Sequence, residues 1–231
     1  MITAPLPFLT ANDADNIFDE LAPDYWLSDY LSFGLTTCLR SGALQLLDIK
    51  PGETICDAMC GTGNNFDRIL SRNGKVIGIE YAGQMARLAA GHPKASKVVI
   101  LQENFLKNTL PDHSVDKLIC TFGLKSMPAT DFPALAHQLK RILVPGGTYA
   151  FAEIELAGSW MKVPALFYIK YLMPLLNRCI TSNNPHRYLY QFASKKLDIS
   201  AITAAFRSNG LSVVIKRAAF GQGIILSGQT I

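Results

Sequence analysis

The chain has 231 residues, 49% of them hydrophobic and 17% charged, enough apolar material for one ordinary domain with an appended cap. Its 22 basic and 18 acidic side chains are spread along the chain for a net charge of +4, with no Lys or Arg run to track a phosphate backbone, which argues against nucleic acid as partner. Five cysteines fit neither a disulfide framework nor a spaced zinc pattern and read as small buried hydrophobes in a reducing compartment, so the expectation is a cytoplasmic chain without a structural metal.

The opening Met1-Ile-Thr-Ala-Pro-Leu-Pro-Phe8 has no basic start and no long apolar run, so no signal peptide is expected. From Ala14 to Tyr30 the chain is helix-prone on both sides of Pro23, which should end or kink the first helix; Ile17, Phe18 and Leu21 share its apolar face. Ser32-Phe33-Gly34 then leads into an apolar-periodic helix through Leu39, Ala43 and Leu46 to Leu47, stopped by Lys50-Pro51-Gly52. Residues 1–50 are thus expected to form a helical cap.

Thr54 to Met59 reads as a short buried strand, and Cys60-Gly61-Thr62-Gly63 turns the chain ahead of a helix near Asn64. Without Cβ atoms, Gly61 and Gly63 can take φ > 0 and let backbone N–H groups approach a ligand. The next strand, Lys75 to Ile79, ends in Glu80, placed where a carboxylate accepts ribose hydroxyls. Phe66 occupies the third glycine position of the pyrophosphate-binding fingerprint G-x-G-x-x-G, which speaks against a dinucleotide. Asp57 adds to this, because its anion would repel a pyrophosphate but suits the ammonium and sulfonium of S-adenosylmethionine (SAM).

Alternation continues through a helix at Met85–Ala90, strands at Lys97–Leu101 and Asp116–Thr121, a helix at Phe132–Leu143 and a strand at Thr148–Ile154, the pattern of a parallel sheet covered on both faces. In the Phe132 helix, Leu135, Leu139 and Ile142 face inward and His137 faces solvent. Residues 51–157 form the expected cofactor-binding core. The stretch 158–194 is far longer than a usual connection, apolar and aromatic but broken by Lys162, Lys170, Pro164 and Pro174. It is not a transmembrane span; as a helical cap it could close an apolar pocket, with Phe167 and Tyr171 over the acceptor, or rest on a membrane surface. A helix at Asp198–Ser208, capped by Asn209-Gly210, and strands at Leu211–Lys216 and Gly223–Ser227 complete residues 195–231 of the single domain.

Asp57-x-x-x-Gly61-x-Gly63, Glu80 and Leu143-Val-Pro-Gly-Gly-Thr148, in that order, resemble the spaced motifs of class I SAM-dependent methyltransferases. Phe18-Asp-x-x-Ala22-Pro23-x-Tyr25, Leu31-Ser-Phe-Gly34 and Arg187-Tyr188-Leu189 are similar to segments of the ubiquinone/menaquinone-biosynthesis C-methyltransferases within that fold. The resemblance implies an α/β, Rossmann-like fold: a mostly parallel seven-stranded sheet with a C-terminal β-hairpin and a helical cap. It implies SAM as cofactor, held by Asp57, Ala58, Gly61, Gly63, Glu80, Tyr81, Asn104, Phe105 and Phe122, with Asn104 on the adenine amino group and Phe105 against the ring.

The loop Phe122-Gly123-Leu124-Lys125-Ser126 resembles the family's Phe-Gly-Leu-Arg-Asn, with Lys125 for Arg and Ser126 for Asn. Arginine is a fixed bidentate fork and lysine a point charge with a movable pKa, so the exchange is not conservative. Tyr25, Lys125, His186 and Tyr188 are the groups these motifs could bring to the reacting centre, with Lys125 expected in a loop open to water. The expected activity is methylation of a small apolar or aromatic acceptor (a phenol, quinol or polyketide-like molecule) by a protein able to form a homodimer. A cyclase or rearrangement catalyst on the same fold, and a SAM-binding partner protein without chemistry, remain alternatives.

Overall fold

The computed structural model describes residues 11–156, 158–180 and 189–231. Five strands, β1 (Thr54–Ala58), β2 (Lys75–Ile79), β3 (Val98–Leu101), β4 (Val115–Thr121) and β5 (Leu143–Ile154), pair in parallel. A closing hairpin of β6 (Val214–Ala218) and β7 (Gly223–Gln229) adds antiparallel strands, in the order β3-β2-β1-β4-β5-β7-β6. The expected mostly parallel seven-stranded sheet is therefore present. Because the chain runs from β1 outward to β3 and then returns to β4 on the other side of β1, the crevice beyond the strand ends lies at a topological switch point, where such sheets hold ligands.

Strand residues alternate between two covered faces, as parallel sheets require. Leu118, Cys120, Tyr149 and Phe151 meet α6 (Phe132–Ile142) and α10 (Ile199–Ser208), where Tyr149, Phe151 and Phe206 stack edge to face. Ile119, Ala150 and Ala152 meet α3 (Leu35–Leu47) and α4 (Phe66–Leu70). Small residues on this second face admit α3 closely; a Cβ on Gly42 would lie 2.8 Å from Ile225. The apolar face of α3 is Leu39, Ala43, Leu44 and Leu47, and Leu46, assigned to it from the sequence, is exposed because it lies about 100° from Leu47 around the helix.

Two strands differ in extent from the sequence reading by three residues or more at one end. β5 begins at Leu143, pairs there with Val115, and resumes at Thr148 opposite Lys117, so Val144–Gly147 forms an irregularity with Gly146 at φ +75°. β6 begins at Val214, because Leu211 makes only an isolated bridge to Thr230. The N-terminal helices α1 (Ala11–Leu21) and α2 (Tyr25–Leu31), split at Pro23 as expected, lie over the crevice. Ile17 and Leu21 pack on Ala82 and Met85 of the α5 region (Gly83–Ala90), while Leu27 and Leu31 pack on Met173 of the cap.

The cap consists of α7 (Lys162–Phe167), a π-helical turn (Tyr168–Leu172), α8 (Met173–Ile180) and α9 (Leu189–Ser194). Pro174 supplies no N–H to the carbonyl four residues back and its ring crowds that carbonyl, which is reason enough for the wider turn just before it. Among the described residues no helix is long and apolar enough to cross a membrane.

Candidate active site

The chain leaves β1 through Met59 at φ +55° and Gly61 at φ +58°. Nothing lies within 4 Å of the position a Cβ on Gly61 would take, so the loop has an open side, whereas a Cβ on Gly63 would sit 2.5 Å from the Phe66 ring. The two glycines therefore do different work: Gly61 makes the turn beside open space and Gly63 lets the fully buried Phe66 pack beneath the loop. Glu80 accepts from the N–H groups of Gly61 (2.8 Å), Tyr81 (3.0 Å) and Ala82 (2.9 Å), tying the end of β2 to the glycine loop.

A cavity of about 110 Å³ opens there, lined by Gly61, Glu80, Tyr81, Asn104, Phe105 and Phe122 among others. Asn104 Oδ1 accepts from Leu106 N at 2.9 Å, which fixes that side chain in the wall. Asp57, Ala58 and Gly63 stand behind this cavity rather than in its lining. Asp57 is fully buried; Oδ1 accepts from Asn65 at 3.1 Å and Oδ2 has no hydrogen-bond partner among the described residues. Burial pushes its pKa up to about 7, against the pull of Asn65 and Arg40. An orphaned buried carboxylate oxygen, an open Gly61 and a backbone-tied Glu80 are a donor and acceptor set that fits a cationic nucleoside such as SAM.

A second, larger cavity of about 320 Å³ lies on the far side of Phe18, Tyr25 and Phe122, which line both. Leu21, Leu31, Tyr168, Ile169 and Met173 contribute apolar wall from the N-terminal helices and the cap. Phe122, held at φ +67°, carries the Arg40 guanidinium 4.9 Å from its ring centre. Arg40, itself 2% exposed, pairs with Asp29 at 2.6 Å, and Asp29 also accepts from Asn64 of the glycine loop at 3.2 Å. One polar chain thus joins α2, α3 and the glycine loop.

Tyr25 is half-buried and burial raises its pKa. Lys125 is only 1% exposed, so its loop is not open to water as its glycine suggested; the turn at Leu124–Ser126 places the side chain in the wall of the larger cavity. Its Nζ lies 3.7 Å from Glu155, and burial lowers its pKa while Glu153 and Glu155 raise it. Phe167 and Tyr171, expected over the acceptor, point outward at 56% and 54% exposure, and Tyr168 and Ile169 take that place. His186 and Tyr188 lie outside the described residues. Asp29, Arg40, Glu153 and Glu155 were not anticipated, although Glu153-Ile-Glu155 at the end of an apolar strand was a signal available in the sequence.

A model of the ubiE/COQ5 methyltransferase family matches residues 9–230. The demethylmenaquinone methyltransferase of Bacillus cytotoxicus is 24% identical over 218 residues, covering 89% of this chain and 90% of the relative. Among solved structures, magnesium protoporphyrin IX methyltransferase from Synechocystis, with bound S-adenosylhomocysteine, superposes with a TM-score of 0.65 at 16% identity, covering 96% of this chain and 99% of that one. The cyclase SpnF gives 0.64 at 12% identity, covering 98% and 99%, so the fold by itself does not separate methylation from cyclisation. The match to the family spans nearly the whole chain and makes that separation: this chain belongs to the ubiE/COQ5 methyltransferase family and is a SAM-dependent methyltransferase.

Proposed function

We propose that the enzyme methylates a small apolar or aromatic acceptor bearing a hydroxyl (a phenol, quinol or polyketide-like molecule) held in the larger cavity. The observation that carries this reading is the pair of cavities sharing Phe18, Tyr25 and Phe122, one built of backbone donors and acids and the other of apolar side chains. Within that class, the name carried by the Bacillus relatives favours a quinol. SAM, when bound, supplies a methyl group on a sulfonium. The chain's own part is to orient the acceptor and exclude water, for which the enclosed apolar wall is suited.

In this reading Asp57, Ala58, Gly61, Gly63, Glu80, Tyr81, Asn104, Phe105 and Phe122 hold the cofactor. Tyr25 and Lys125 form the polar side of the acceptor site among the described residues. Lys125 is assigned to the acceptor wall rather than to proton transfer: burial lowers its pKa, but the carboxylates of Glu153 and Glu155 both oppose this and favour its charged form. Lys125→Met should then raise the acceptor KM and neither remove nor add a step in the pH profile. Incubating the protein with SAM and a panel of phenols, quinols and polyketide-like acids tests the main reading, with mass spectrometry scoring methylated product and S-adenosylhomocysteine together. Substrate conversion without S-adenosylhomocysteine would replace it with cyclisation or rearrangement.

The partner surface in this proposal is the outer face of the cap. Val163, Phe167, Tyr171 and Leu175 recur every four residues, all exposed, with Lys162 and Lys170 beside them. Apolar rings flanked by lysines suit the surface of an anionic bilayer, the source of an apolar quinol. Flotation with anionic vesicles should carry the protein upward, and Phe167→Ala should weaken this. Concentration-dependent dimerisation lost in the same variant would assign the stripe to a second copy instead.

A further inference from the structure

The acceptor cavity contains an acid that the reading above leaves without a task. Glu153, near the end of β5, is 4% exposed and lines that cavity. Among the described residues its carboxylate accepts only long backbone bonds, from Lys125 N at 3.3 Å and Ile154 N at 3.2 Å. Neither nearby cation hydrogen-bonds it among the described residues: Lys125 Nζ lies 3.7 Å from Glu155 and has no hydrogen-bond partner, and Lys195 Nζ donates to the carbonyls of Lys125 (2.8 Å) and Met127 (3.4 Å). Among the described residues no ion pair is made to Glu153.

A buried carboxylate compensated this weakly is a costly anion and a ready home for a proton. The other titratable groups of the cavity are poorer candidates. Asp29 is bound to Arg40 at 2.6 Å, Lys125 stands between two carboxylates that oppose the lowering of its pKa by burial, and the Tyr25 phenol is kept neutral by burial. We infer that Glu153 is the base of the methylation, taking the single proton that the acceptor must lose as its new bond to carbon replaces the methyl–sulfur bond.

This rests on the acceptor reading above. The electron pair of the broken bond stays on sulfur, and the proton on Glu153 passes to water after the product leaves, so the cycle balances without a further reactant. Around Glu153 stand Lys125 from the turn after β4, Glu155 on β5, Lys195 beyond α9, Tyr25 of α2 and Cys120 of β4. Burial carries the Glu153 pKa up to about 7; Lys125 and the two backbone N–H groups oppose this, and Glu155 adds to it. A base of that strength is ionised in part at neutral pH and still holds a proton well, the balance general-base catalysis favours.

Two measurements on the SAM-loaded full chain test the assignment. Carbon-13 labelling of the glutamate carboxyls should show one resonance titrating near neutral pH that is missing from Glu153→Gln, and a Glu153 resonance with the ordinary midpoint of about 4.3 would overturn the proposal. With 2-prenyl-1,4-dihydroxynaphthalene kept reduced as acceptor, wild-type kcat should rise with pH through one step to a plateau. Glu153→Gln should lower that plateau by about 10²–10⁴ and remove the step, with SAM affinity unchanged. Glu153→Asp should retain the step at a reduced rate. A Gln variant that raises only KM and keeps the step would overturn the assignment in favour of simple binding. If the wild type leaves this acceptor unmethylated, the quinol reading fails, and the carboxyl titration still decides for or against Glu153.

Discussion

The glycine loop and the cap meet across Phe18, Tyr25 and Phe122, yet they are built by different rules. At the loop, the proposed cofactor site rests mainly on backbone: a positive φ at Gly61 and three N–H groups converging on Glu80, beside one Asp57 carboxylate oxygen without a partner among the described residues. Few side chains could replace those present, because glycine alone combines the required φ with open space. The cap relies on area. Its helices are apolar on nearly every side, and which rings face the cavity and which face outward depends on how the helices dock. Backbone-built sites tolerate few substitutions and area-built sites tolerate many, so equal-sized changes in the two regions should have unequal effects.

The harshest test is Gly61→Val. A branched residue at φ +58° is strained, and its methyls would occupy the open side of the loop, so SAM affinity should fall by on the order of 100-fold or more, read by calorimetry. Retained affinity would mean that the loop is not the cofactor's seat. Next comes Glu80. Glu80→Gln keeps the shape and loses the charge, and should weaken SAM binding about tenfold by removing charge-assisted hydrogen bonds; Glu80→Ala should weaken it further, because the Gly61 N–H loses its acceptor as well.

The cap should respond more mildly and in a divided way. Tyr168→Ala opens the wall of the larger cavity and removes a hydroxyl bond to the Leu31 carbonyl (2.9 Å), so the acceptor KM should rise several-fold with SAM affinity nearly unchanged. Phe167→Ala, one residue earlier, should leave KM unaltered. If both variants moved KM alike, the assignment of inner and outer faces would be wrong.

The smallest effect is a proton count. Asp57, raised to about 7 in the folded chain from the ordinary carboxylate range, binds more protons folded than unfolded between those values. Its contribution to stability is therefore present at low pH and lost as pH rises from about 4 towards 7, and Asp57→Asn should raise the melting temperature at pH 8 more than at pH 5. A cation bound beside Asp57 would favour its ionised form. SAM binding at pH 7 should then release a fraction of a proton, seen as a dependence of the calorimetric heat on buffer ionisation enthalpy and absent in Asp57→Asn.

This division also explains what could be read in advance. The sheet, its hairpin and the Asp57–Gly63 and Glu80 spacing were legible because alternation and glycine placement are local properties of a sequence. The phase of the cap helix was not. With apolar residues at Val163, Leu166, Phe167, Tyr168, Ile169 and Tyr171, its pattern selects no face, and the π turn before Pro174 shifts the register again. Lys125 was misread for a related reason: a glycine-containing loop suggests exposure, and only the docking of β5 and the segment after α9 covers it. Glu153 and Asp29 gained significance only once distant segments brought them to one cavity.

The wall shared by the two cavities carries a thermodynamic obligation. Tyr25 and Phe122 cannot be displaced by an occupant on one side without altering the surface offered on the other. Whatever factor by which cofactor changes the affinity for acceptor, acceptor must change the affinity for cofactor by the same factor. The Asp29 bonds to Arg40 and Asn64 give that reciprocity a physical path, since they connect the helix over one cavity to the loop beneath the other. In the proposed reading, two ligands that meet only at the transferred methyl are also coupled through the wall beside them, and the size of the coupling can be measured from either side.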